Sequence, residues 1–296
     1  MDDALSEQSS RVDEAVEYAV SVTQVYRDNF RKRSVGLDGL RYLEVGPGKD
    51  FAPQLVLASC GALVTVADKY LSAWDPEYHP HFYAQFLRRW NGPSTAVELA
   101  LRKGGYSGII TTLCEPIERM PSLAAGSFDY VQSNAVLEHV ISISHAVSEL
   151  ARITKPGGIH AHQVDFRDHR NFDRPLDLLL LNRTSYRRLR RSSGGAHGTS
   201  MRMPELIEQF TRYFWIWDIS LSASADHQHV EEIRKGLPAD SPYRSWSSEV
   251  LRQTSARIWL ARKDPLVRGN IEEPGALGVI SSKVKSARLR LRKLWA

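Results

Sequence analysis

From residue 10 to 33, Val12, Ala15, Val16, Ala19, Val22, Val25 and Tyr26 recur at helical spacing, with Arg, Asp and Glu between them. This pattern predicts one or two leading helices that end before Gly36 and Gly39. From Leu40 the rhythm changes. RYLEV reads as a strand ending at Gly46-Pro47-Gly48, and Asp50 to Ser59 as a helix closed by Gly61. LVTVAD is a second strand that ends on an acid. Residues 77 to 103 read as two helices split at Asn91-Gly92-Pro93, and GIITTLC as a third strand. SFDYVQSN is a fourth, followed by a helix from His139 to Thr154 that KPGG stops. IHAHQVDF is a fifth. Residues 167–201 break the alternation with a leucine run, a basic run and the turn SSGGAHG, and read as an inserted cap or loop. MPELIEQFTRYF is a helix, and WIWDISLS and ARIWLAR are two late strands.

Strands alternating with helices predict an α/β fold. The expected form is a Rossmann-like, doubly wound, seven-stranded, mainly parallel sheet with helices on both faces. To it are added the cap and an N-terminal helical extension. The expected domain plan is an extension over 1–38, a main domain over 39–264 and a basic tail over 265–296.

Composition narrows the class. The chain has 296 residues, 42% hydrophobic and 25% charged, enough to bury a full core without disulfide staples. Two cysteines, Cys60 and Cys114, form no framework and read as reduced thiols in a cytoplasmic protein. No apolar run reaches the length of a membrane span, and the acidic start MDDALSEQSS is unlike a secretory signal. The net charge is +5. Seven basic residues and only Glu272 and Glu273 follow Pro265, so the tail carries the whole excess. A neutral body argues against nucleic acid as a partner. The tail, with Leu291, Leu294 and Trp295, reads equally as a peripheral contact to an anionic membrane or partner and as a solvated extension.

The chemistry begins at Glu44-Val45-Gly46-Pro47-Gly48, a turn between a strand and a helix. Glycines there let a ligand approach the backbone closely. Asp68, at the tip of the next strand, lies 20 residues beyond Gly48, the spacing of an acid that grips a ribose diol. A third glycine would be expected at position 51 for a dinucleotide, but Phe51 stands there, and the P-loop ending is missing. Glu44 repels phosphate and suits a cation. S-adenosylmethionine, a sulfonium with no phosphate, therefore fits better than NAD or ATP.

At this point the chain resembles the class I SAM-dependent methyltransferases from about Leu40 to Ala161. The motifs are LEVGPG, VTVAD and SFDYVQSNAVLEHVISISHAVSELARITKPGG. The last block is similar to the methyltransferase type-11 group. The resemblance implies that Glu44, Gly46 and Gly48 lie beside the methionine portion and that Asp68 binds the ribose. It further implies that Glu115, in the turn after the third strand, lies near adenine, and that Ser133 and Asn134 end the fourth strand near the methionine or the reacting centre. The usual aspartate of the adenine turn falls on Glu115 or Pro116. A looser resemblance links QVDFRDH and the Arg-Met-Pro-Glu-Leu segment to methyltransferases of glycan and polysaccharide biosynthesis.

Methyl transfer to a hydroxyl needs alignment and a base. In an open α/β sheet the site lies at the carboxyl ends of the strands, which leaves Asn134–His139 and Asp165–His169. His169 is the first candidate base, oriented by Asp165 or Asp168, and a loop histidine in water is the competing reading. Asp165 could itself be the base. His139 is a third candidate, set against simple packing and capping of the helix it begins. His160 and His162 share a strand face, but no third ligand follows at metal-binding spacing, so no metal is expected. The aromatic series Trp74 to Trp90 reads as core, or as one wall of the acceptor pocket. The expected activity is O-methylation of a sugar, glycan or other hydroxylated small acceptor. The alternatives are C- or N-methylation of a small metabolite and an inactive SAM-binding module.

Overall fold

The computed structural model describes residues 2–264, so the basic tail lies outside the described residues. The described chain falls into two compact units. One holds 2–116 with Phe128–Tyr130, and the other 117–127 with 131–264.

The first unit opens with α1 (Asp2–Lys32), one unbroken helix. Val12, Val16, Ala19, Tyr26 and Phe30 are buried along it, the stripe that the apolar spacing predicts. Strands β1 (Arg41–Val45), β2 (Leu63–Ala67) and β3 (Thr111–Leu113) are parallel neighbours, with Val45 opposite Ala67 and Ala67 opposite Leu113. β3 is shorter than GIITTLC predicts, because Ile109 and Ile110 close a turn on Tyr106 instead. Between the strands lie α2 (Ala52–Ser59), α3 (His79–Arg89) and α4 (Thr95–Lys103). α1 packs on α2 and α3, and α4 on both. Phe82, Tyr83 and Phe86 are fully buried, so the middle of the aromatic series is core, while Trp74 and Tyr78 are half-buried.

β4 (Phe128–Asn134) contributes to both units. The second unit continues with α5 (Ile143–Ile153) and β5 (Thr154–Asp165). Two expectations are corrected here. The helix starts at Ile143 rather than His139, because Ser142 opens it and His139 is held in the preceding turn by a bond to Val136. KPGG does not stop the helix from a loop. It forms the first residues of β5, the chain turning from helix to extended backbone at Thr154, with Gly157 at positive φ further along the strand. The insert is not bare loop either: it carries a 3-10 turn, Asp177–Leu180, and a helix, α6 (Arg183–Ser192).

α7 (Met203–Thr211) follows, then β6 (Phe214–Ser224). α8 (His227–Gly236) and the short α9 (Ser248–Leu251) precede β7 (Gln253–Arg262). β7 runs antiparallel to both β5 and β6. The seven strands take the order β3-β2-β1-β4-β5-β7-β6, a mixed α/β sheet of Rossmann type. Chain order reverses between β1 and β4.

Candidate active site

In the first unit the expected donor residues gather at the ends of β1, β2 and β3. Register brings Gly46 to Asp68, and the Gly46 N–H donates to the Ala67 carbonyl at 2.9 Å. Gly46 and Gly48 both have positive φ. A Cβ added at Gly48 would meet nothing within 4 Å, so this turn has room above its backbone. Asp68 Oδ1 accepts the Tyr70 N–H at 2.7 Å, which shapes the turn after β2. Glu115 lies two residues past β3, and its neighbour Cys114 reaches the Lys69 carbonyl.

Glu44 is buried rather than facing outward. Its two oxygens accept the phenols of Tyr26 at 2.7 Å and Tyr42 at 2.6 Å. Burial raises its carboxyl to about 7, and hydrogen bonds from Tyr42, Tyr26 and Gln54 pull the other way. The charge beneath the turn is therefore partial near neutrality, weaker than the full negative charge expected. Phe51, at the third-glycine position, is left-handed and buried, with its ring 4.7 Å from that of Tyr106. A second brace was not foreseen. Tyr83 donates to the Asp50 carbonyl, and buried His79 holds the Asp75 N–H at 2.7 Å and approaches the Lys49 carbonyl. Helix α3 thus pins the exit of the glycine turn.

The second unit holds Asn134 at the end of β4, together with all three candidate bases. Asp165 ends β5. Arg167 grips its carboxylate through Nε and Nη2, at 2.9 and 2.6 Å, and His169 Nε2 lies 3.5 Å from Oδ2. Burial raises the Asp165 carboxyl, but His169 and Arg167 outweigh it and hold the group well below the ordinary range. Asp168 is not the orienting acid. It is buried and taken by a two-pronged pair with Arg170.

The His139 ring stands edge-on to that of His169, centroids 5.0 Å apart. Its Nδ1 lies 3.0 Å from the Gly195 carbonyl, and burial, the main cause, lowers its basicity. As hydrogen donor to that carbonyl, Nδ1 leaves Nε2 as the acceptor.

Two residues that sequence reasoning passed over complete this cluster. Glu138, the middle residue of Leu-Glu-His, is fully buried. Its Oε1 accepts the Asp165 N–H at 3.2 Å, and Oε2 has no partner within the described residues. Burial pushes its carboxyl up to about 8, aided by the Asp165 charge. Arg190 belongs to the basic run of the insert, yet its guanidinium turns inward. Its guanidinium donates to the carbonyls of Glu138 at 2.8 Å, Val140 at 2.6 Å and Gly198 at 2.5 Å. Nothing local marks Arg190 among its neighbouring arginines. A carboxylate inside an otherwise apolar motif was the available signal for Glu138.

Gly195 and Gly198 of SSGGAHG close the corner. Both have positive φ, and an added Cβ would collide with the His139 carbonyl at the first and lie 2.7 Å from the Arg167 carbonyl at the second. Only glycine lets the insert approach so closely. Arg202 is also buried, bonded to the carbonyls of Phe166 and Met201. His160 and His162 lie in a buried chain from Ser133 Oγ through both rings to Thr154 Oγ1, with links of 2.7, 3.1 and 2.8 Å. The ring nitrogens are thus engaged in hydrogen bonds.

Residues 91–162 match the family model described as a methyltransferase domain, Methyltransf_11. A search of curated proteins found no significant match. Among solved structures, the chain is similar to an S-adenosylmethionine dependent methyltransferase from Mesorhizobium loti. The identity is 15% over 77% of this chain and 93% of that one, with a TM-score of 0.45. It is also similar to geranyl diphosphate C-methyltransferase from Streptomyces coelicolor A3(2), solved with Mg2+, geranyl-S-thiolodiphosphate and S-adenosyl-L-homocysteine. That likeness has 12% identity, 80% and 76% coverage, and a TM-score of 0.46. A third likeness is to phosphoethanolamine N-methyltransferase 2 of Haemonchus contortus in complex with S-adenosyl-L-methionine. It has 16% identity, 77% and 49% coverage, and a TM-score of 0.42. The weight of assignment falls on the family match, the motifs and the strand order. Residues 91–162 carry a methyltransferase domain, and S-adenosyl-L-methionine is the methyl donor that such domains use. No helix among the described residues is long and apolar enough to cross a membrane.

Proposed function

We propose that the methyl acceptor is a hydroxyl of a sugar, glycan or related small molecule, and that His169 takes its proton. When bound, the donor supplies an electrophilic methyl on a positively charged sulfur. Gly48 leaves room for its methionine portion beside Gly46, the partly ionised Glu44 favours a cation, and Asp68 suits the ribose diol. Asn134 and Glu115 are the remaining proposed donor contacts.

The acceptor's oxygen gains the methyl and must lose its proton. An alcohol is a poor nucleophile until that proton has somewhere to go, and a base in hydrogen-bond reach is worth about 10²–10⁴ in rate. The observation that carries this reading is the Asp165–His169 approach of 3.5 Å beside an anchored, ionised carboxylate. Asp165 orients the ring and stabilises the imidazolium that forms, the role an acid plays toward a catalytic histidine. His139, less basic than an exposed histidine because it is buried and held through Nδ1, is the second candidate acceptor of that proton.

The test is transfer of radiolabelled methyl from SAM to pools of sugars, amines and carbon acids. Label on a sugar oxygen, lost in His169→Ala, supports the proposal. Label confined to nitrogen or carbon overturns it in favour of N- or C-methylation. Donor binding without any transfer identifies a binding module instead.

A further inference from the structure

The second unit contains a cavity of about 600 Å³ between the cap and the segment Pro238–Tyr243. That volume falls within the roughly 300–1,000 Å³ of small-molecule sites. Its walls are of three kinds. Leu178, Leu179 and Leu181 make an apolar face, and Pro238 and Pro242 stand among the residues lining it. The rings of Tyr186 and Tyr243 line it with their hydroxyls fixed. Tyr243 donates to the Ser200 carbonyl at 2.9 Å, and Tyr186 accepts the Ser200 N–H at 3.1 Å. Arg183 and Arg187 also line it, one turn apart on α6, against the single acid Asp240.

This combination is selective. Rigid phenol rings and leucines present flat apolar surface, as the carbon faces of a sugar ring require. Asn182, Ser241 and Asp240 offer partners for hydroxyls. Two guanidinium groups on one helix face match a carboxylate or phosphate, which Arg binds in two-pronged fashion. Arg202 adds to the positive potential. It is buried, its electrostatic neighbours include Glu205 and Asp165, which offset part of that charge, as well as Tyr186 and Tyr243, and its Nη1 has no partner within the described residues.

The same helix links this cavity to the base. Arg190 lies seven residues beyond Arg183 and three beyond Arg187, and it clamps the turn that carries His139. Seven residues of helix span about 10 Å, a distance that one or two sugar rings bridge.

We infer that this cavity anchors the charged end of the methyl acceptor, and that the acceptor is a sugar bearing an anionic group. This rests on the hydroxyl-methylation reading above and narrows it. The neutral hydroxyl to be methylated lies toward His139 and His169, and the anion lies on Arg183 and Arg187.

The test titrates the full-length protein, saturated with S-adenosylhomocysteine, with glucose 6-phosphate, glucuronate, methyl glucoside and inorganic phosphate at constant ionic strength. Calorimetry should give at least tenfold tighter binding for a charged sugar than for methyl glucoside or phosphate alone. Arg183→Ala/Arg187→Ala, two exposed positions, should erase that difference and leave S-adenosylhomocysteine affinity within twofold. A preference for glucose 6-phosphate assigns a phosphate ester, and a preference for glucuronate a carboxylate. Absence of binding, equal binding of charged and neutral sugars, or a charge preference that survives the double variant overturns the inference. Methyl transfer separates the two readings. Charged sugars that bind through the arginines without being methylated sink the reaction proposed above but keep the cavity. Methylation of neutral sugars with an unchanged KM in the double variant does the reverse.

Discussion

His169 Nε2 stands 3.5 Å from Asp165 Oδ2, four residues back along the chain, and Arg167 fixes that carboxylate from the other side. The pairing is local in sequence yet depends on a sharp exit from β5. The Arg167 N–H donates to Asp165 Oδ1 at 3.0 Å. His169→Ala should lower kcat by about 100-fold or more, with S-adenosylhomocysteine affinity changed by less than threefold. Asp165→Asn should lower kcat less, because the ring remains while its orienting charge is lost. Radiolabel transfer and calorimetry measure the two effects separately. Near-normal turnover of His169→Ala would remove it as the base and leave His139.

Glu138 governs a stability prediction. Its folded-state carboxyl is raised from 4.5 to about 8, so the folded chain holds this proton more tightly than the unfolded one. The stabilisation is complete below the unfolded value and is lost as pH rises through the folded one. Each unit of difference corresponds to about 1.4 kcal/mol. Relative to Glu138→Gln, the wild-type chain should therefore lose stability, on the order of a few kcal/mol, between pH 5 and 9. Asp165 works in the opposite sense, since its depressed carboxyl stabilises the fold above the ordinary aspartate range and ceases to do so as pH falls. Urea midpoints across pH for the two proteins check the sign. Parallel curves would mean that Glu138 is ionised throughout.

The sequence carried the strand–helix alternation, the glycine turn and Asp68 because each is a local pattern: a period, a turn or a fixed spacing. It also placed Asp165, His139 and His169 near strand ends. What stayed hidden depends on distant partners. Tyr26 reaches Glu44 across 18 residues, and Arg190 reaches Glu138 across 52. Among the arginines of α6, spacing alone does not separate the one that clamps a turn from those in water. The start of α5 was misplaced because the apolar run through Val140 and Ile141 looks helical, although Ile141 is exposed and Ser142 opens the helix.

The tyrosine pair on Glu44 makes α1 part of the donor unit's structure. Tyr26→Phe removes a phenol donor from a fully buried carboxyl, and a hydrogen bond to a charged group is worth about 1.5–3 kcal/mol. That variant should lose stability of this order in urea unfolding. Tyr42→Phe should cost a similar amount, and the two should not add, because they share one acceptor group. Independent, additive effects would show that Glu44 does not couple them.

Gly195 is the tightest point of the insert. Its φ is +91°, and any Cβ would run into the His139 carbonyl backbone, which Arg190 already pins in place. Gly195→Ala should cost at least about 2 kcal/mol and should displace His139, whose ring bonds the Gly195 carbonyl. Gly194→Ala is the control, since its φ is also positive, at +59°, but its added Cβ meets nothing within 4 Å. Thermal unfolding should separate the two clearly.

Asp68 offers a way to divide turn shape from donor binding. Its Oδ1 accepts the Tyr70 N–H, so Asp68→Ala removes both that bond and any grip on a ribose. Asp68→Asn keeps an oxygen to hold Tyr70 and replaces the other acceptor with an NH2 donor. A ribose diol presents two hydroxyl donors, which a carboxylate satisfies and an amide satisfies only in part. Both variants should weaken S-adenosylhomocysteine binding by tenfold or more if the carboxylate meets the diol directly. If Asp68 serves only to shape the turn, the asparagine variant should bind like the wild type and the alanine variant alone should fail. Calorimetric titration of the two variants distinguishes these outcomes, and wild-type affinity in both would remove Asp68 from the donor site.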